Sequence, residues 1–175
     1  AAPTRRCRPG AIRSTPVQVT GLTNVTGVAA GGDHGLAVKL DGTVWAWGEN
    51  FGGQLGDGTN TNRLTPVQVS GLTDVVAVSA GETHSLAVKS DQTVWAWGAG
   101  ANGELGDGAA TNRLTPVQVT GLTDVVAVSA GGYYSLALKS DGTLWAWGAG
   151  SYGQLGDGAT TGRLTPVQVS GLTNV

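Results

Sequence analysis

The chain has 175 residues, among them 30 Gly, six Trp, one Phe and one Cys, with 13% charged residues and a net charge of −2. That length suits one ordinary domain, and much Gly with few charges and no collagen period argues for a turn-rich, all-β protein rather than a disordered one. The charge balance gives no reason to expect nucleic acid or an anionic membrane as partner, no apolar run approaches the roughly 20 residues of a membrane span, and the lone Cys7 excludes an intrachain disulfide and a cysteine-based zinc cage.

Residues 1–15 match nothing later in the chain and are expected to be a divergent segment or linker. Arg5, Arg6 and Arg8 cluster around Cys7, a pattern expected of a solvated linker rather than a nucleic-acid arm. Cys7 would be available to cross-link a partner in an exported protein. The opening lacks the apolar stretch of an intact signal peptide. Composition leaves the compartment open, with an extracytoplasmic or cell-surface place slightly favoured.

From residue 16 the sequence repeats. Pro16, Pro66, Pro116 and Pro166 fall fifty residues apart, as do Trp45, Trp95 and Trp145. The units are 16–65, 66–115 and 116–165, with a partial unit at 166–175; the second and third differ at only about a dozen positions.

Each unit reads as four short strands. "TPVQV" (65–69) opens with Pro, which suits an edge or first-strand position, and "VVAVSA" (75–80) is a short buried run. "HSLAVKS" and "TVWAWG" flank Asp91-Gln92, or Asp41-Gly42 and Asp141-Gly142 in the other copies. Asp-Gly there predicts a two-residue hairpin with positive φ at both central residues. Four strands per unit and a period near fifty predict the blades of a β-propeller. Because side chains alternate along a strand, Thr93, Trp95 and Trp97 share one bulky face while Val94, Ala96 and Gly98 share a flat one. Identical units stacked head to tail need such unlike faces, so the six Trp are expected in the core between blades.

The stretch "AGETHSLAVKSDQTVWAWGAGANGELGDG" (80–108) resembles the repeat of the regulator of chromosome condensation family. Its Ala-Gly, its His before Ser-Leu-Ala, its Asp turn, its aromatic-x-Trp-Gly strand and its Leu-Gly turn follow that family's order and spacing, over all of 16–175. The resemblance implies a seven-bladed propeller of near-identical, bacterial-type repeats. It departs from the pattern at Tyr134, which replaces His34 and His84, at Gly35 in "HGLAV", and at Glu104 in place of Gln. The founding member's nucleotide exchange and nucleosome docking rest on features particular to individual blades, an insertion and a basic tail among them; here the blades are nearly interchangeable and no such insertion is visible, so neither transfers by resemblance, and guanine-nucleotide exchange stays only as a lesser alternative. Inhibition of an enzyme is a further activity within the family. Three repeats fall short of the roughly four to eight blades of a closed propeller. Further blades of a larger propeller are expected, ahead of a ring completed by other copies, since two copies together hold the same spare half-unit twice.

No catalytic set can be assembled from the repeated letters, and a non-enzyme without cofactor or metal is expected. Asp57, Asp107 and Asp157 in "LGDG" are expected to bond their own turns, and Arg63, Arg113 and Arg163 to make a structural fork. The differences between copies concentrate in two places. One is Asp33 and His34, matched by Glu82, Thr83 and His84 and by Tyr133 and Tyr134; the other is Asn50 and Phe51, with Asn102, Ser151 and Tyr152. These are the candidate loop tips for binding another protein, since loops on rigid scaffolds carry function and Tyr suits adaptable contacts. The expected partner is a protein, further copies or the remaining blades among the possibilities; a carbohydrate is the alternative.

Overall fold

The computed structural model describes residues 15–172 and 175; Cys7 and the Arg5, Arg6 and Arg8 cluster lie outside them. All regular elements among the described residues are strands: β1 (Val25–Ala30), β2 (His34–Lys39), β3 (Val44–Gly48), β4 (Arg63–Gln68), β5 (Val75–Ala80), β6 (His84–Lys89), β7 (Val94–Gly98), β8 (Arg113–Gln118), β9 (Val125–Ala130), β10 (Tyr134–Lys139), β11 (Leu144–Gly148) and β12 (Arg163–Gln168). They form three separate antiparallel sheets, β1 to β4, β5 to β8 and β9 to β12, each in sequence order. The fold is thus all-β: three propeller blades, each taking its fourth strand across the boundary into the next fifty-residue unit, so that the Thr-Pro strand closes the preceding blade instead of opening its own unit. The first strands of neighbouring blades lie together, β1 on β5 and β5 on β9, and form the inner edge. No helix among the described residues is long and apolar enough to cross a membrane.

Alternation sets the two faces of each blade. The β6–β7 register places Ser85 opposite Trp97 and Ala87 opposite Trp95 on one face, with Leu86 opposite Ala96 and Val88 opposite Val94 on the other. In the joint between blades 1 and 2, Trp97 and Ala87 sit against Leu36, Val38, Val44 and Ala46 of the preceding blade, with Val69 and Leu72 closing the floor. The joint between blades 2 and 3 repeats this with Trp147 and Ala137 on Leu86, Val88, Val94 and Ala96. Burying a Trp hides on the order of 200 Å², worth roughly 4–5 kcal/mol before entropy.

The six Trp do not share one environment. Trp97 and Trp147 are fully buried between blades. Trp45, Trp95 and Trp145 are half-buried, each donating Nε1–H to the Thr two residues before it, with a Lys Nζ 5.7–5.9 Å from the ring centre. Trp47, at the back of the first blade, is also half-buried.

Two local expectations need correction. The outer strand begins at Arg63 rather than Thr65, because Arg63 pairs with Gly48 after a break in register past Ala46 and Val67. The hairpin loop has three residues, not two: Lys39 N–H donates to Thr43 O, and Gly42 N–H to Lys39 O. Only the third loop residue takes positive φ, at Gly42 (74°), Gln92 (65°) and Gly142 (77°). Asp41 instead accepts from the Thr43 amide (3.0 Å) and hydroxyl (2.6 Å), which fixes the turn from its side chain.

Candidate functional site

The two variable clusters of sequence meet in space. Strand β2 starts opposite the end of β3, with His34 paired to Gly48, so the loop 31–33 and the loop 49–62 emerge at the same edge. Glu49 N–H donates to Asp33 O (2.8 Å), and Ala99 and Ala149 repeat the bond to Thr83 and Tyr133 (2.9 Å each). Each blade thus contributes a pair of loop tips to one rim. The hairpin turns at 40–42, 90–92 and 140–142 stand at the opposite edge of the blades.

Beneath the tips lies a frame that all three blades share. Asp57 accepts from Arg63 Nε (2.8 Å) and Nη2 (2.7 Å), and Asp107 with Arg113 and Asp157 with Arg163 repeat this fork. Asp57 also accepts from the Thr59 amide at 3.0 Å, the self-capping expected of Asp in a Gly-rich turn. Burial pushes the Asp57 carboxyl up, but the bonds from Thr59, Arg63 and Asn50 outweigh it and hold it below its ordinary value. Above this, the side chain of residue 54, 104 or 154 reaches back to the tip: Gln54 Oε1 accepts from Gly52 N, Glu104 Oε2 from Asn102 N, and Gln154 Oε1 from Tyr152 N, at 2.7–2.9 Å. A carboxylate or an amide oxygen serves equally, which is why Glu104 replaces Gln without disturbing the turn.

Of the twelve candidate residues, those that reach solvent are Asp33, Phe51, Glu82, Asn102, Tyr133, Ser151 and Tyr152. Phe51, Tyr133 and Tyr152 are 66%, 47% and 95% exposed, large apolar or aromatic groups on one rim. Thr83 and Tyr134 are half-buried. Three others stand inside the frame and are corrected accordingly. Asn50 is fully buried, donating from Nδ2 to Asp57 Oδ1 and the carbonyls of Thr59 and Thr61, and accepting from Leu55 N. It ties its loop together; in the second blade the Thr111 carbonyl moves into the space a side chain at Gly100 would need, and Gly150 meets Thr161 in the same way.

His34 and His84 are the other two. Each is buried in a joint, with Nε2 2.9 Å from Ser85 Oγ and Ser135 Oγ of the following blade. Ser85 Oγ–H donates to Gln54 O (2.9 Å), and Ser135 Oγ–H to Glu104 O (2.8 Å). A serine has one proton to give, so each His must donate from Nε2, leaving Nδ1 as a bare acceptor; neither Nδ1 has a hydrogen-bond partner. Burial lowers the His34 pKa to about 4 against an upward pull from Asp33, and burial with the charge of His34 does the same at His84. Both are neutral clasps between blades. Their serine partners were not anticipated from sequence, although Ser85 and Ser135 fall 51 residues after His34 and His84. Among the described residues no three His, Cys, Asp or Glu side chains converge to hold a metal ion.

The regulator of chromosome condensation (RCC1) repeat matches the chain at residues 41–88, 91–138 and 141–175, and a second form of the same repeat matches 25–54, 75–104 and 125–154. Protein pim1 of Schizosaccharomyces pombe is 47% identical over 47 residues, 27% of this chain and 9% of that protein. Prp20p from Saccharomyces cerevisiae, a structure described with its binding to Gsp1p and histones, superposes with a TM-score of 0.77 at 24% identity over 85% of this chain and 39% of that one. Human WBSCR16 superposes with a TM-score of 0.73 at 26% identity over 82% of this chain and 37% of that one. The chain thus spans less than two fifths of either structure and about a tenth of pim1.

Proposed function

We propose that this chain, which belongs to the regulator of chromosome condensation repeat family, is a non-enzymatic protein-binding module whose contact surface is the variable rim. The observation that carries this reading is the split between frame and tip. Three near-identical blades keep the Asp–Arg fork and the Gln or Glu brace, and the two variable loop clusters of each lie side by side at one edge. Phe51, Tyr133 and Tyr152 supply exposed aromatic area there, the residue type that anchors protein contacts at small entropic cost. The protein partners named for Prp20p agree in kind with this reading.

Affinity capture from an extract of the source organism, with the triple variant Phe51→Ala, Tyr133→Ala, Tyr152→Ala as control, tests it. The reading predicts a protein retained by the native chain and lost by the variant, with melting unchanged. A glycan array run in parallel separates the carbohydrate alternative: sugar binding that depends on the same aromatics, with no protein retained, contradicts a protein-binding rim.

A further inference from the structure

The inner end of the rim is made by three loops, 31–33, 81–83 and 131–133, that meet across both joints of the chain. Gly32 N–H donates to Gly81 O (3.1 Å), and Glu82 Cγ lies 3.2 Å from where a Cβ at Gly32 would stand. On the other side, Glu82 Oε2 lies 3.7 Å from the place of a Cβ at Gly132. Positions 32, 82 and 132 thus read Gly, Glu, Gly: one exposed carboxylate between two places that carry no side chain. Asp33 follows on one side and Tyr133, 47% exposed, on the other. We propose that this corner, Glu82 between Asp33 and Tyr133, receives a cationic side chain, Lys or Arg, of the protein that the rim binds. The inference rests on the rim being a protein-binding surface and names the chemistry of its partner.

Charge is divided unevenly between the two edges of the blades. Among the described residues the cations at the rim edge are Arg63, Arg113 and Arg163, each held through Nε and Nη2 on its own Asp. Their charge is spent within the frame. The three Lys stand at the hairpin edge. Lys39 lies 3.3 Å from Asp41, Lys139 lies 4.0 Å from Asp124, and Lys89 Nζ is 5.8 Å from the centre of the Trp95 ring. No ion pair among the described residues reaches Asp33 or Glu82. A partner meeting this corner therefore finds negative charge with no competing cation. An acidic surface is repelled there, and an apolar one strips water from two carboxylates without return. A guanidinium or ammonium gains a carboxylate and a neighbouring aromatic ring together.

The corner does not depend on what adjoins the chain. Glu82 belongs to the middle blade, and its neighbours Gly32 and Gly132 lie across joints that are both internal. Further blades add to the faces of the stack and leave its edges open. The outer tip of the middle blade, Ala101 and Asn102, carries no aromatic group, whereas blades 1 and 3 bring Phe51, Tyr133 and Tyr152. What the middle blade adds to the rim is therefore charge.

Fluorescence anisotropy with three labelled octapeptides, oligo-Arg, oligo-Lys and oligo-Glu, reads the preference of the full chain. The two cationic peptides are expected to bind and oligo-Glu is not. Glu82→Gln is expected to weaken their binding about tenfold and Tyr133→Ala about threefold, while Asp91→Asn at the hairpin edge leaves it unchanged. Gly132→Lys sets an ammonium of the chain's own beside Glu82, at a position whose φ lies outside the left-handed region. It is expected to weaken binding as far as Glu82→Gln does, with melting unchanged, and Gly132→Ala is expected to bind as the native chain. Oligo-Glu bound as well as oligo-Lys, an affinity indifferent to Glu82→Gln, or an equal loss in Asp91→Asn would overturn the proposal. Retention of the captured protein separates this inference from the reading it rests on. A protein lost by the triple aromatic variant but held by both Glu82→Gln and Gly132→Lys leaves the protein-binding rim standing and removes the cationic anchor.

Discussion

In the joint between blades 1 and 2, Trp97 is sealed and its indole N–H is spent on Gln54 O, while His34 is clasped to Ser85. A few residues away, Phe51 and Tyr152 stand in solvent, the first on a loop held by Asp57, Arg63 and Asn50, the second on one held by Asp157 and Arg163. The joint and the rim are built from the same fifty letters but obey different rules. A change in the joint alters packing on two blades at once, so a tolerated difference has to be matched across the interface. A change at the rim leaves the main chain of the tip in place, because it is braced from below by Gln54, Glu104 or Gln154. The copies differ most where difference is least expensive to the fold.

The contrast can be broken most strongly at the joint. Trp97→Ala removes the largest buried side chain between blades 1 and 2 and is expected to destabilise the chain by about 3–5 kcal/mol in denaturant titration. Acid should act on the same joints. The unfolded chain protonates its histidines near the ordinary 6.5, while folded His34 and His84 stay neutral to about 4. Stability is therefore full above 6.5 and is lost as pH falls toward 4, by up to about 1.4 kcal/mol per pH unit for each histidine. Unfolding followed from pH 7 to 4 checks this, and replacing both histidines with Gln should flatten that limb.

A smaller effect is expected at the hairpins, on the opposite edge from the rim. Gln92 holds a left-handed conformation that Gly42 and Gly142 take in the other blades. Gln92→Gly should stabilise the chain by about 0.5–1 kcal/mol, read as a rise in melting midpoint. An unchanged midpoint would mean the turn bears no strain there.

The repeat, the four strands per blade and the unlike faces were legible because period and alternation are properties of sequence that packing obeys directly. The hairpin was read one residue short, because Asp-Gly also fits a turn in which Asp41 bonds Thr43 and only Gly42 turns left-handed. The rim was legible as variation between copies, yet variation did not separate Phe51 from Asn50. One is a tip and the other a brace, and that distinction depends on loop closure seven to twelve residues away. The His–Ser clasp escaped notice because its partners lie on different blades, where no local pattern links them.

The division between joint and rim is tested most directly by giving the three aromatic tip positions the residues of the second blade. Phe51→Ala, Tyr133→Thr and Tyr152→Asn install residues that blade 2 already carries at those places. Measured together, melting should stay within about 0.5 kcal/mol of the native chain while retention of the captured protein is lost. A chain that melts markedly earlier, or that binds as before, would contradict the account.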